Sequence, residues 1–286
     1  MTEILVAAGA SAATGGLAFA VCRLVVPRAP VRLMRTNVGG AEVPAILGVP
    51  VIASGIAGVL SVAVLLSVIT SSTLEESLVV GWALMLMGAA GLWDDLRGDE
   101  RPRGFAGHLG ALKGRAVTGG IVKIVAAVLV GTFAAAFLPS RDATPAAHVI
   151  EVVVLVGLSA NLINLFDRAP GRATKVSFLI AVPLLVFGDT AWALAAAPVL
   201  AAVAVTLYFD LGERGMLGDA GANPLGAVLG VGLAASLDEP GRLVAIVILL
   251  ALNLASEKWS FSKAIEATPP LRWFDGVGRR DQPAPK

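Results

Sequence analysis

The sequence predicts an all-α membrane protein, a polytopic helix bundle with about nine transmembrane helices. Of its 286 residues, 56% are hydrophobic and 15% are charged, whereas soluble domains carry about 25% charged residues. This composition excludes an ordinary soluble domain, a nucleic-acid-binding protein and a disordered chain. A single cysteine excludes an internal disulfide framework, and two histidines argue against a zinc centre with its usual nitrogen and sulfur ligands.

Nine apolar stretches approach the length of about 20 residues that a membrane helix needs. In chain order they are residues 3–26, 46–70, 76–93, 117–138, 147–166, 176–188, 191–208, 224–237 and 242–256. The sixth and eighth are short for a bilayer, so we expect them to be tilted or packed among their neighbours. The transmembrane catalytic bundle is expected to cover residues 1–256.

Lysine and arginine residues concentrate in alternate loops. Of the 22 basic residues, 19 lie in the loops after spans one, three, five and seven or in the tail after span nine. Because basic residues are retained on the cytoplasmic side, the N-terminus is predicted to face outside and the C-terminus the cytoplasm. Residues 257–286 then form a basic cytoplasmic tail, in which Trp259–Ala267 are expected to form a short interfacial helix.

Polar residues cluster at the predicted cytoplasmic ends of several spans. They are Asp94 and Asp95 at the end of span three, Asn161, Asn164 and Asp167 at the end of span five, and Asp219 in the glycine-rich loop before span eight. The spacing of three residues along span five aligns its polar side chains on one helix face. Lys123 lies near the cytoplasmic start of span four, and its stem can follow apolar surface while its ammonium group reaches the same face.

Oxygen ligands with basic neighbours indicate a hard cation, Mg²⁺ or Mn²⁺, that holds a phosphate-bearing substrate. The glycines around Asp219 would let backbone N–H groups approach phosphate oxygens. Such a site at a membrane surface fits phosphoryl transfer to or from a lipid. Each cluster also has a structural interpretation: a solvated acid pair, hydrogen bonds between helices, a glycine turn and an ion pair of Lys123. Their coincidence on one membrane face favours the functional interpretation.

Four motifs occur in a characteristic order, and together with the loop of Asn37, Gly40, Pro44 and Gly48 they cover roughly residues 37–226. They are Asp94-Asp95, Gly120-Ile121-Val122-Lys123, Asn161-x-x-Asn164-x-x-Asp167 and Gly218-Asp219-x-Gly221. In this order they resemble the polyprenyl-phosphate N-acetylhexosamine-1-phosphate transferases, the membrane phosphoglycosyl transferases of cell-envelope synthesis.

The resemblance implies transfer of a sugar-1-phosphate from a UDP-sugar, first of all a UDP-N-acetylhexosamine, to a polyprenyl phosphate. The products are a lipid-diphospho-sugar and UMP, formed at the cytoplasmic face of the plasma membrane. It implies Mg²⁺ (or Mn²⁺) held by Asp219 and Asn164, and a base supplied by the aspartate pair. We expect the catalytic residues to be Asp94, Asp95 and Asp167. We expect the substrate contacts to come from Lys123, Asn161, Asn164, Arg172, Asn223, Arg279 and Arg280. A homodimer or envelope-assembly partners are further expectations, and no nucleic acid is expected.

The sequence departs from the family pattern at several positions. Gly98 stands where many members have a third acid, and Pro170 replaces a second aspartate of bacterial members. The tail contains no histidine, where bacterial members carry a histidine cluster. These departures leave open a non-catalytic relative that binds polyprenyl phosphate or acts as a scaffold, and a lipid transporter, for which matching half-repeats are not visible. The basic tail fits diphosphate binding and anchoring to anionic lipid headgroups equally well.

Overall fold

The computed structural model describes residues 1–69, 74–97, 118–140 and 144–279. Within them the chain forms nine long α-helices followed by two short ones. The long helices are α1 (Thr2–Val25), α2 (Gly48–Ile69), α3 (Leu74–Arg97), α4 (Gly119–Phe137), α5 (Pro145–Phe166), α6 (Arg172–Phe187), α7 (Thr190–Leu211), α8 (Asp219–Ser236) and α9 (Glu239–Lys258). The short ones are α10 (Phe261–Ala267) and α11 (Pro269–Gly276). Each long helix coincides with one predicted span.

Three helices extend beyond the predicted spans at the same end of the bundle. Helix α3 continues to Arg97, α6 begins at Arg172 and α8 begins at Asp219. The added turns contain charged and amide side chains, which an apolar criterion leaves out although the helical backbone continues through them. We call this end, where α3 and α5 end and α4 and α8 begin, the polar end of the bundle.

The structure supports the predicted class of a helical membrane bundle. Among the described residues, seven helices are long and apolar enough to cross a membrane, and α6 and α8 are not among them. Helix α6 has only 16 residues. In α8, 15 of 18 residues are buried, so this helix is enclosed by protein. The number of membrane spans and the orientation remain predictions.

Helix α8 is central because it packs against both α3 and α5. Glycines allow the close approach to α5. A Cβ atom at Gly226 would lie 2.6 Å from the Cα of Ala160, and one at Gly230 would lie 2.7 Å from the Cα of Val156. Small residues of this kind are typical of helix contacts in membranes, where van der Waals packing replaces the hydrophobic effect.

A buried ion pair joins α5 to α9 at the end opposite the polar end. The Arg242 Nε donates to Glu151 Oε2 at 2.7 Å, and its Nη1 donates to the Leu237 carbonyl at 3.1 Å. Arg242 is fully buried and Glu151 is 5% exposed. These two charges therefore link the helices inside the bundle.

A short antiparallel hairpin connects α1 to α2. Its strands are β1 (Met34–Thr36) and β2 (Glu42–Pro44), with Arg35 opposite Val43. The hairpin lies at the polar end because Ala45 bridges to Met216, in the loop before α8. It thereby brings residues of the first loop next to the end of α3.

Candidate functional site

An ion-paired cluster lies where α3, α4 and α8 meet at the polar end. Lys123, in the second turn of α4, has its Nζ 2.6 Å from Asp94 Oδ2 and also pairs with Asp219 Oδ2. The three side chains are 19 to 29% exposed. Three residues that the sequence predicted to share one membrane face are therefore in direct contact.

Asp95 has a different environment from its neighbour Asp94. Its carboxylate accepts the backbone N–H of Asp219 at 3.2 Å and that of Ala220 at 2.9 Å. Helix α8 has no side-chain cap from its own N-cap residue, Gly218, so Asp95 supplies the cap from another helix. A carboxylate at a helix N-terminus is stabilising because it satisfies free N–H groups and complements the helix dipole.

Asp167 fixes the same loop from the opposite side. It directly follows α5, and its Oδ2 accepts the backbone N–H of Gly218 at 2.7 Å. Burial raises the pKa of Asp167 well above its usual value, the charge of Asp210 adds to this, and the bond from Gly218 opposes it. Gly218 has a φ of +66°, and a Cβ there would lie 2.8 Å from Asp95 Oδ2. Only glycine fits this position.

These contacts correct one prediction about the glycine-rich loop. Its backbone N–H groups were expected to approach phosphate oxygens. Instead, the N–H groups of Gly218, Asp219 and Ala220 donate to the carboxylates of Asp167 and Asp95. The physical reason is that two neighbouring helices end here with an acid, and each acid satisfies free N–H groups at the start of α8.

An open cavity of about 340 Å³ lies beside this cluster. Four predicted site residues line it, namely Asp95, Asn164, Asp167 and Asp219. The basic residues Arg35 and Arg168 line it as well. The sequence counted both arginines only as cytoplasmic charges, since no local pattern marks the hairpin that brings Arg35 to the end of α3. The Arg35 Nη2 donates to the Asp95 carbonyl at 2.6 Å.

Two predicted substrate contacts have partners inside the protein. The Asn161 Nδ2 donates to Asn253 Oδ1 at 2.6 Å, which joins α5 to α9. The Asn223 Nδ2 donates to the Asp219 carbonyl at 2.8 Å, and the side chain is buried. The structural interpretation of Asn161, a hydrogen bond between helices, therefore agrees with the structure.

The basic residues Arg172, in α6, and Arg279, in the tail, both contact Asp275 of the tail. The Arg172 Nε and Nη2 each lie 2.8 Å from an oxygen of Asp275, and Arg279 Nη2 lies 2.6 Å from Asp275 Oδ2. Burial raises the pKa of Asp275, but hydrogen bonds from Arg172 and the charges of Arg172, Arg279 and Lys175 outweigh it, so the pKa lies below its usual value. The sequence did not single out Asp275. The predicted contact Arg280 lies outside the described residues.

The oxygen donors in the cavity fit a magnesium ion that binds together with a diphosphate. Among the residues that the structure describes, no group of three or more His, Cys, Asp or Glu side chains is arranged to hold a metal ion. Asp219 and Asn164 line the same cavity and offer one carboxylate and one amide oxygen. Mg²⁺ is commonly held by one or two carboxylates plus substrate phosphates, with several waters retained. This donor set is therefore sufficient only if the substrate supplies further ligands.

The described acids and bases around the cavity nearly balance. The acids are Asp94, Asp95, Asp167 and Asp219, and the bases are Arg35, Lys123 and Arg168. When all are ionised, the acids outnumber the bases by one. These side chains therefore offer a diphosphate no net positive charge, which a divalent cation would supply.

No model of a known protein family matches the chain, and no curated protein matches it. A proposal for the function therefore rests on the chemistry of the site.

Proposed function

We propose that the protein is a membrane phosphoglycosyl transferase. It transfers a sugar-1-phosphate from a UDP-sugar, with a UDP-N-acetylhexosamine as the first candidate, to a polyprenyl phosphate and releases UMP. The observation that carries the proposal is the contact of Asp94, Lys123 and Asp219 beside a cavity that Asp219 shares with Asn164. The family resemblance assigns metal binding to Asp219 and Asn164, phosphate contact to Lys123 and a place in the catalytic aspartate pair to Asp94.

Positioning of phosphates accounts for most of the chemistry that these residues offer. The Lys123 ammonium, held by Asp94, and the Arg35 guanidinium present positive charge to the phosphates and orient them. Mg²⁺, when held by Asp219 and Asn164, would neutralise the charge that develops on the leaving UMP. A phosphate monoester has a second pKa of about 6 and is largely ionised at pH 7. The lipid phosphate therefore needs no strong base. The role of Asp95 is to hold the N-terminus of α8 in place.

A UMP-release assay tests the proposal. Purified protein in lipid nanodiscs is mixed with polyprenyl phosphate, Mg²⁺ and a panel of UDP-sugars. We expect release with at least one donor, and loss of release in Asp219→Asn and Lys123→Met because both lose their phosphate or metal contact. Glu75→Gln is the matched control, an exposed carboxylate in the first turn of α3, at the other end from Asp94. Full activity in the Asp219 variant would contradict the proposed site.

A non-catalytic relative that binds polyprenyl phosphate is the second candidate. It is favoured by the engagement of Arg172 and Arg279 with Asp275, which leaves fewer basic groups for a nucleotide-sugar. The same assay separates the two functions. Binding of polyprenyl phosphate without UMP release from any donor would support this second candidate.

We further propose that the polar end faces the cytoplasm of the plasma membrane, because the basic loops lie there. Cysteines introduced at Glu75 and Lys263, both exposed positions, test this orientation in intact cells. An impermeant maleimide is expected to label position 75 from outside and to leave position 263 unlabelled. The reverse pattern would refute the orientation.

A further inference from the structure

The tail after α9 is fixed to the bundle by two basic residues of α6, Arg172 and Lys175, which contact α11. Arg172 donates two hydrogen bonds of 2.8 Å each to the Asp275 carboxylate. Arg279, in the tail itself, lies 2.6 Å from the same carboxylate. Lys175 donates to the carbonyl oxygen of Asp275 at 2.6 Å and to that of Phe274 at 3.3 Å. The last carbonyls of a helix have no partner within it, so this ammonium group caps α11.

A second set of contacts extends the attachment along the tail. The Arg172 Nη1 donates to Ser262 Oγ in α10 at 2.8 Å. The ring of Phe261 stacks on that of Phe166, with centroids 5.0 Å apart and planes 9° from parallel. Phe166 is the last residue of α5, so the tail contacts the bundle directly beside Asp167.

The segment between α5 and α6, residues 167–171, is held on several sides. The Arg279 Nε donates to the Pro170 carbonyl at 3.2 Å, and the Val38 N–H donates to the Arg168 carbonyl at 2.9 Å. Gly171, with a φ of +68°, packs so closely on α7 that a Cβ there would lie 2.6 Å from Leu211 Cδ2. Arg172 directly follows this segment, so its ion pair with Asp275 fixes the segment's far end.

The same segment begins with Asp167, whose carboxylate accepts the Gly218 N–H at 2.7 Å. Gly218 directly precedes Asp219, the residue expected to hold the metal. A continuous path of contacts therefore runs from Asp275 through the segment to the start of α8.

We propose that Asp275 is a positioning residue, and that the docked tail holds residues 167–171 so that Asp167 keeps Gly218 and Asp219 in place. The catalytic consequence of this inference rests on the proposed transferase function. The structural consequence does not, because it concerns only the order of the loop before α8.

Hydrogen exchange measured by mass spectrometry tests the structural consequence. In Asp275→Asn, exchange is expected to accelerate about tenfold or more in the tail, in residues 167–172 and in the peptide around Gly218, as expected for loss of about 1.4 kcal/mol of local protection or more. Glu266→Gln is the matched control because Glu266 is an exposed carboxylate in the same tail. Asp275→Glu, which keeps the charge, is expected to restore part of the protection. Acceleration confined to the tail and residues 167–172 would overturn the inference.

A second variant guards against general unfolding of Asp275→Asn. Arg279→Met removes the contact to the Pro170 carbonyl and one ion pair, but leaves the two hydrogen bonds between Arg172 and Asp275. It is expected to accelerate exchange in the same three regions by a smaller factor. Unchanged exchange around Gly218 in this variant, with a loosened tail, would also overturn the inference.

Kinetics test the catalytic consequence. Displacement of a reacting group by about 1 Å can lower a rate about a hundredfold, so kcat for UMP release is expected to fall by up to that factor in Asp275→Asn. The KM for the UDP-sugar is expected to change less than kcat, because Lys123 is also held by Asp94 and Arg35 by the Asp95 carbonyl, whereas a globally damaged protein would change both. Absence of UMP release in the wild type would refute the proposed function, and the exchange experiment would still decide the inference. A normal kcat with accelerated exchange around Gly218 would refute the catalytic part.

Discussion

Asp94 and Asp95 are adjacent, but their carboxylates contact different groups, so replacing each by asparagine is expected to give different results. In Asp95→Asn, one side-chain oxygen still accepts one of the two N–H groups at the start of α8. The new NH₂ group faces the second N–H group and cannot accept a hydrogen bond from it. Asp94→Asn weakens an ion pair with Lys123, which retains Asp219 as a partner. The first change is expected to destabilise the fold, and the second to affect activity alone.

The magnitudes follow from burial and bonding. Asp95 is 5% exposed, and a hydrogen bond to a charged group contributes about 1.5–3 kcal/mol. Loss of the negative charge at the helix N-terminus adds about 0.3–1 kcal/mol. We therefore expect Asp95→Asn to lower the free energy of unfolding by about 2–4 kcal/mol. Partly exposed ion pairs contribute about 0–1 kcal/mol to stability. We therefore expect Asp94→Asn to lower the free energy of unfolding by no more than about 1 kcal/mol.

Unfolding in mixed detergent micelles, followed by tryptophan fluorescence, measures these free energies, and UMP release is measured on the same preparations. Asp94→Asn is expected to fold as stably as the wild type while losing activity, since Lys123 is then held by one carboxylate. Equal stability of the Asp95 variant and the wild type would refute the role of Asp95 as a cap for α8. In that case a direct contact of Asp95 with substrate would become the better explanation for any loss of activity.

Three further predictions concern other parts of the fold. Arg242→Met leaves Glu151 buried without its partner and is expected to lower the free energy of unfolding by about 3–5 kcal/mol. The double variant with Glu151→Met is expected to lose less, and a double-mutant unfolding cycle measures the difference. Gly230→Ala places a methyl group against the α5 backbone and is expected to cost about 1–3 kcal/mol of unfolding free energy. Because the pKa of Asp275 is lowered, its stabilisation is present above the ordinary aspartate pKa and is lost as pH falls through the lower pKa of the folded state. The distance between spin labels at the exposed positions 75 and 266 is therefore expected to be constant from pH 8 to 5 and to broaden, as the tail undocks, only below about pH 4.

Apolar patterning predicted all nine long helices, because each depends only on a local run of side chains that tolerate lipid. The missed helical turns are those with Asp94–Arg97, Arg172–Lys175 and Asp219–Asn223, where the helix continues through polar residues. These turns carry the candidate site. Apolar composition therefore identifies the apolar part of each helix and misses the polar turns that carry the candidate site.

Residue pairing was less predictable, because it depends on contacts between distant parts of the chain. The sequence grouped Asp94, Lys123 and Asp219 on one face, and the structure brings them into contact. It gave no sign that Asp275, 103 residues from Arg172, would hold that arginine. Both are charged residues in polar segments, and nothing in their local sequence distinguishes a buried ion pair from two solvated charges.

The arrangement of carboxylates at the start of α8 bears on how substrates bind. Asp95 and Asp167 are committed to backbone N–H groups, so they hold the loop in place, whereas Asp219 has its carboxylate on Lys123. A metal ion arriving alone would meet the Lys123 ammonium, and a diphosphate arriving alone would meet the carboxylates. Each repulsion is relieved when the two arrive together, because the phosphates then attract Lys123 while the cation takes Asp219. In the proposed transferase, the ion pair would thus favour joint binding of a cation and a diphosphate over binding of either one.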